Sequence, residues 1–438
     1  MYPNPQAALP LPAKPNLEQY RKRAKDLVRA CRSGEPNAIR AWAVAWIEAL
    51  AAREPDGDRR IIRSDISHDP DEVATFAEAK LTGSSAKCVL ADAQFVMARA
   101  HGFTSWPKLV AHLESLSRAS SHVSAFEQAV DAVIAGDISA LRRLLSENPG
   151  LLHERSTREH NATLLHYVSA NGVEGYRQIS PQNAAQVAAL LLEAGAQVEA
   201  RADVYGGGWT TLGLVATSAP PAIAGVQRDV IDVLLDHGAR IDLAGTGGHN
   251  DSLVRSCLAN GQPAAAEYLV SRGAPLDLPG AAGLGRVDVA RGFFTSSGDL
   301  QPNVTKAQLL DAFSLACAYG RVGAVELFLD RGVDVDVEMR GHGEGHTGLH
   351  VAAFYGHADV VDALIRRSAR VDIIDKTWRT PPLVWALTGW SRDMTTDRSR
   401  YYRVVARLVA AGANVTPDLL EWEKARADPK MIAALTNG

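Results

Sequence analysis

Apolar residues recur at helical spacing from the start of the chain. In LEQYRKRAKDLVRACRSG, Leu17, Tyr20, Ala24, Leu27, Val28 and Cys31 share one face and charge covers the other, which predicts an amphipathic helix that Gly34 is placed to stop. AIRAWAVAWIEALAAR, VATFAEAKLTG and KCVLADAQFVMARAHG read as further helices, the last ended by Gly102. Ser105, two residues before Pro107, predicts an N-cap that opens SWPKLVAHLESL. The stretch 54–72 is polar and turn-rich and reads as a loop. Residues 17–118 therefore form a helical N-terminal module, and SRASSHVS is the linker after it. The first 16 residues hold five prolines and little charge, which predicts a disordered tail over 1–16.

From Ala125 onward one pattern repeats. LLEAGAQVEA, LLDHGARIDL, LVSRGAPLDL, FLDRGVDVDV, LIRRSARVDI and LVAAGANVTP each end a helix on an apolar pair, turn on a small residue and continue as a short extended stretch. The turn residues Gly195, Gly238, Gly273, Gly332, Ser368 and Gly412 are 43, 35, 59, 36 and 44 residues apart. Spacings near 35 indicate a solenoid of helix pairs, in which each unit buries its apolar face only against its neighbours. Spacings near 43 carry inserted residues. The gap of 59 fits one unit plus a truncated one, with GAAGLGRVDVARGFF as its remains.

Residues 343–373 resemble an ankyrin repeat. Thr347, Leu349, His350, Ala352, Ala353, Gly356, His357, Val360, Val361 and Leu364 match the pattern T-P-L-H-x-A-A-x-x-G-H-x-x-V-V-x-x-L, with Gly348 in place of proline and Ser368 in place of glycine. Weaker copies begin at Thr163, Thr210, Ser252, Asp311 and Arg379. The resemblance covers residues 123–415 and leaves 416–438 as a C-terminal helical cap. AQFVMARAHGFTSWPKLVAHLE is similar to a segment that precedes ankyrin arrays in bacterial proteins, and the alanine- and arginine-rich composition fits a high-GC bacterial genome. The resemblance implies an all-α ankyrin-repeat solenoid of helix pairs with β-turn fingers. It further implies a concave groove, built from fingers and inner helices, that binds other proteins.

Mapped onto that groove, Trp209 and His346 take finger positions and Tyr205 lies at a finger base. Tyr319, Phe354 and Tyr355 lie before the turn glycine of an inner helix. Trp378 is in the last finger, Trp385 on the last inner helix, and Trp390 opens its insertion. Phe354 and Tyr355 are the foremost candidates, because packing of the repeat does not need them. Among polar candidates, Arg255 replaces the motif histidine in SLVRSC, Asn250 and Asp251 precede it in the finger, and Arg291 accompanies Phe293 and Phe294 in the truncated unit. A buried arginine wants a carboxylate partner. Insertions at 174–183, 219–227 and 388–400 fall between the helices of a unit, and 295–305 falls between units; long loops of this kind are often functional.

The overall charge narrows the reading. With 46 Lys+Arg against 50 Asp+Glu, the chain offers no electrostatic reason to bind nucleic acid. No apolar run has the length of a membrane span, and no secretory leader pattern opens the chain. Cys31, Cys88, Cys257 and Cys317 have no paired spacing, which predicts free thiols in a reducing cytoplasm. His342, His346 and His350 are four apart, but three glycines make GHGEGHTGLH a finger, so no metal site and no cofactor is expected. There is no GxSxG, P-loop or HExxH signature. The reading is a cytoplasmic protein-binding scaffold. The alternative is an enzyme or a binder of a small apolar ligand, using a groove pocket lined by aromatics and the finger carboxylates Asp203, Asp251 and Glu344.

Overall fold

A computed structural model describes residues 4–12, 15–51, 70–83, 88–118, 121–242, 252–340, 344–393 and 398–436. The chain divides into two compact units, Met1–Leu253 and Val254–Gly438. The first holds both the N-terminal helices and the first repeats.

In the first unit, helices Leu17–Ser33, Ala38–Ala51, Pro70–Thr82, Leu90–Ala100 and Trp106–Leu116 enclose a core of Leu27, Trp46, Met97, Phe103 and Leu109. Asn16 caps the first of them by accepting from the Glu18 N–H, and Gly34 closes it at φ 67°. The predicted loop over 54–72 lies mostly outside the described residues, and its last three residues already belong to the helix Pro70–Thr82.

Two expectations are corrected here. The expected disordered tail over 1–16 is packed where it is described. Pro5–Ala7 form a 3-10 turn, Ala8 and Leu9 are fully buried, and Leu9 exchanges hydrogen bonds with the Ala100 carbonyl (2.7 Å) and with His101 Nδ1 (2.9 Å). Proline density concealed two apolar residues that complete the helical core. The cysteines are not all free either: Cys31 and Cys88 form a disulfide, with Cα atoms 5.9 Å apart, and only Cys257 and Cys317 are free and buried. The end of one helix and the residues before another are brought together in space, which no sequence spacing reveals. Disulfides persist in oxidising surroundings, so the cysteines no longer argue for a reducing compartment.

The repeats of this unit are the helix pairs His122–Ala135 with Ile138–Glu147, Leu164–Tyr167 with Ala184–Glu193, and Thr211–Ala216 with Gln227–Asp236. A finger pairs Arg201–Ala202 antiparallel with Trp209–Thr210. The second unit stacks Leu278–Gly283 with Val287–Arg291, Lys306–Ala318 with Val322–Asp330, Gly348–Phe354 with Ala358–Arg366, and Pro382–Arg392 with Ser399–Ala410. The short pair Leu278–Gly283 and Val287–Arg291 fills the 59-residue gap. Helices Pro417–Glu421, Glu423–Arg426 and Pro429–Thr436 follow the last pair, burying Met431 and Leu435 in the core of Phe313, Phe328, Leu349, Val360 and Leu408. Among the described residues no helix is long and apolar enough to cross a membrane.

The turn residues do what the repeat requires. Gly195, Gly238, Gly273, Gly332 and Gly412 all have positive φ, and Ser368 adopts φ 66° in the glycine's place. The two motif histidines act alike. His350 Nδ1 accepts from the Thr347 N–H at 3.1 Å, which leaves its Nε2–H to donate to the Thr380 carbonyl of the next finger at 3.2 Å. His166 accepts from the Thr163 N–H and donates to the Trp209 carbonyl at 3.3 Å. Burial holds both rings at about 4, hence neutral.

Candidate binding groove

Finger 373–380 in the second unit is organised by one carboxylate. Asp375 is buried; its oxygens accept from the backbone N–H groups of Thr377, Trp378 and Thr380, from Thr380 Oγ1, and from Trp385 Nε1 at 3.2 Å. Burial alone would raise this carboxyl, but the donors outweigh it and hold it at about 2. Arg379 turns the finger at φ 55°, and helix Pro382–Arg392 starts on a proline at its first position.

This clasp fixes the Trp378 backbone and the Trp385 indole, whose rings meet at 73°. Trp385 is 7% exposed and forms the floor; Trp378 is 55% exposed and stands over it, with ring centroids 5.2 Å apart. From the neighbouring helix, Phe354 meets Trp385 edge-to-face at 6.0 Å and Tyr355 at 5.1 Å. The result is a groove of about 550 Å³ that Phe354, Tyr355, Trp378 and Trp385 share with Val351, Val384, Thr380, Thr388 and, at the rim, Arg392. Burial, with Tyr401 nearby, pushes the Tyr355 phenol up, so it stays protonated. Among the described residues no carboxylate, imidazole or thiol lines the groove.

Four sequence-derived candidates thus converge. Others are corrected. Phe294 and Trp390 are buried in the core: Trp390 lies on the helix Pro382–Arg392 and packs against Trp422 at 5.9 Å, and Phe294 forms a β-bridge with Leu300. His346 is 1% exposed and stacks on Trp385 at 5.6 Å, so it backs the floor rather than facing a ligand. Arg255 is ion-paired with Asp311. Tyr319 is half-buried and donates to the Leu258 carbonyl. Arg291 is exposed at a helix end and lines no part of the groove. Tyr205 and Trp209 belong to the first unit, where Tyr205 lines a different cleft with Asn4, Pro5 and Gly207, and its hydroxyl is held by Asn171 and Gln6. Asn250, Asp251 and His342 lie outside the described residues, as do the side chain of Glu344 and residues 394–397.

One polar centre escaped the sequence reading. The insertion 174–183 is not a free loop: Glu174 and Arg177 turn inward and close a buried ring with Glu127 and Arg158. Arg158 pairs with Glu127 and Glu174, each at 2.9 Å, and Arg177 pairs with Glu127 at 2.6 Å and Glu174 at 3.4 Å. Burial would raise the Glu127 carboxyl, but the two guanidinium groups hold it at about 2, and Glu174 is likewise held well below its usual range. The only available signal was an acid and a base three apart in an insertion, which reads equally as solvated charge.

Residues 282–417 match the family model described as ankyrin repeats, in three copies. This part of the chain carries ankyrin repeats. That stretch contains the repeat at 343–373, the finger 373–380 and every residue of the groove. No curated protein matches the chain. Among solved structures, it is similar to the human ASB11 ankyrin repeat domain at 19% identity over 66% of this chain and 99% of that one, with a TM-score of 0.33.

Proposed function

We infer that this ankyrin-repeat chain is a recognition scaffold that holds a partner protein in the groove of Phe354, Tyr355, Trp378 and Trp385. Ankyrin repeats are generally protein-interaction scaffolds. The observation that carries the reading is the chemistry of the groove wall. Four aromatic side chains, one of them a tryptophan 55% exposed, line it, and no described carboxylate, imidazole or thiol does. Acid–base catalysis draws most often on such groups, and the Tyr355 phenol in this wall is kept protonated by burial. Interface centres are instead enriched in tryptophan, tyrosine and arginine. The reading is tested by affinity capture from the native host with wild-type chain and with Phe354→Ala/Tyr355→Ala. A specific protein retained by the wild type and lost by the double variant is expected. Capture unaffected by the double variant would sink the assignment of this groove.

A further inference from the structure

We propose that the groove reads a linear peptide in which a large apolar side chain stands next to a carboxylate. The inference rests on the recognition reading above and names the partner's chemistry.

Its basis is an asymmetry of charge around the aromatic wall. Several basic side chains of this unit are neutralised: Arg366 pairs with Glu326, Arg367 with Asp330, Arg370 with Asp336, Lys376 with Glu338 and Arg400 with Asp393. Arg379 and Arg392 differ. Both are exposed and both border the aromatic site, one adjacent in sequence to Trp378 and the other lining the groove, and no described carboxylate pairs with either. Asp375, the acid nearest Arg379 in sequence, is turned inward and saturated by its own finger and Trp385, and Asp393, next to Arg392 in sequence, pairs with Arg400. The groove therefore presents an apolar floor with the Arg392 guanidinium at its rim and Arg379 in the adjoining finger, neither of them paired with a described carboxylate.

The apolar surface extends along the finger. Ile374 is 47% exposed in the same finger as Trp378, so the exposed strip is longer than one side chain. A peptide laid across it seats an aromatic or branched aliphatic residue between Trp378 and Phe354, and a neighbouring aspartate or glutamate answers Arg379 or Arg392. Guanidinium–carboxylate pairs at a rim steer encounter and fix register, while the buried apolar anchor supplies most of the affinity.

Phage-displayed random peptides are panned on the full chain, and the enriched peptides are synthesised and titrated by fluorescence anisotropy. The expected consensus is one large apolar residue with Asp or Glu within two positions. Affinity should fall roughly tenfold for Arg392→Glu, with weaker binding as salt rises. Trp378→Ala, at an exposed site that leaves the melting temperature unchanged, should abolish binding. Enriched peptides that need Trp378 but show no acid and no response to Arg392→Glu would overturn this proposal and leave the recognition groove standing. Failure to enrich any peptide that depends on Trp378 would overturn both. A labelled oligo-uridine that binds the wall in place of peptides would mean that the rings stack on bases, and the proposal would fall.

Discussion

Gly389 lies so close to Phe354 that a Cβ on it would overlap the Phe354 carbonyl oxygen. This contact draws helix Pro382–Arg392 against helix Gly348–Phe354 and sets the distance between the groove's two sides. Gly389→Ala must push the helices apart, at a cost of about 1–3 kcal/mol. Chemical denaturation should show that loss, and binding to the groove should weaken with it. An unchanged unfolding midpoint would mean that the two helices are not held this closely.

The two groove tryptophans separate stability from recognition. Trp378→Ala should change stability by no more than about 0.5 kcal/mol, because the side chain is largely in solvent. Trp385→Ala should cost about 3–5 kcal/mol, since it empties a buried volume and leaves Asp375 one donor short. Thermal unfolding of the two variants side by side tests this; equal losses would refute the distinction between wall and floor.

The motif histidines set an acid limit. His166 and His350 are held at about 4 in the folded chain, against an ordinary value of 6.5. Between those values the unfolded chain binds protons that the folded one refuses, so stability is full above 6.5 and declines as the pH falls towards 4. The expected loss between pH 7 and pH 5 is about 1–2 kcal/mol per histidine. Replacing His350 with Gln should lower stability at pH 7 and flatten the decline. A variant with the wild-type pH dependence would show that His350 is not the titrating group.

In the first unit, Glu174→Gln should destabilise by about 3–5 kcal/mol, because it leaves two buried arginines sharing Glu127, with only the exposed Asp131 beside Arg177. Removing the exposed pair Arg366–Glu326 should change stability by less than about 1 kcal/mol. Urea unfolding compares them, and a similar small effect for both would mean that the ring is hydrated and only loosely paired.

The sequence carried the fold wherever the period was regular. The turn residues from Gly195 to Gly412 were legible because each needs a left-handed conformation, and even Ser368 keeps it. Phe354 and Tyr355 were legible because the repeat assigns them no packing duty, and Trp378 and Trp385 because they fall in the last finger and on the inner helix after it. Trp390 and Phe294 look the same in sequence and are core residues; whether an insertion folds inward is decided by its neighbours in space. The same holds for Glu174 and Arg177, and for Leu9, whose burial depends on the helices of residues 17–116 rather than on its own proline-rich surroundings.

The Asp375 clasp has a consequence for the energetics of encounter. A loop that orders only on binding spends part of its interaction energy on lost conformational freedom, of the order of 1 kcal/mol for each residue fixed. Here that entropy is surrendered when the chain folds, because five donors from Thr377, Trp378, Thr380 and Trp385 already pin the finger to one carboxylate. The groove is preorganised: a peptide bound as proposed is the one that must lose its disorder, and its association should proceed close to rigid docking on this side, with selectivity written into the shape of the groove.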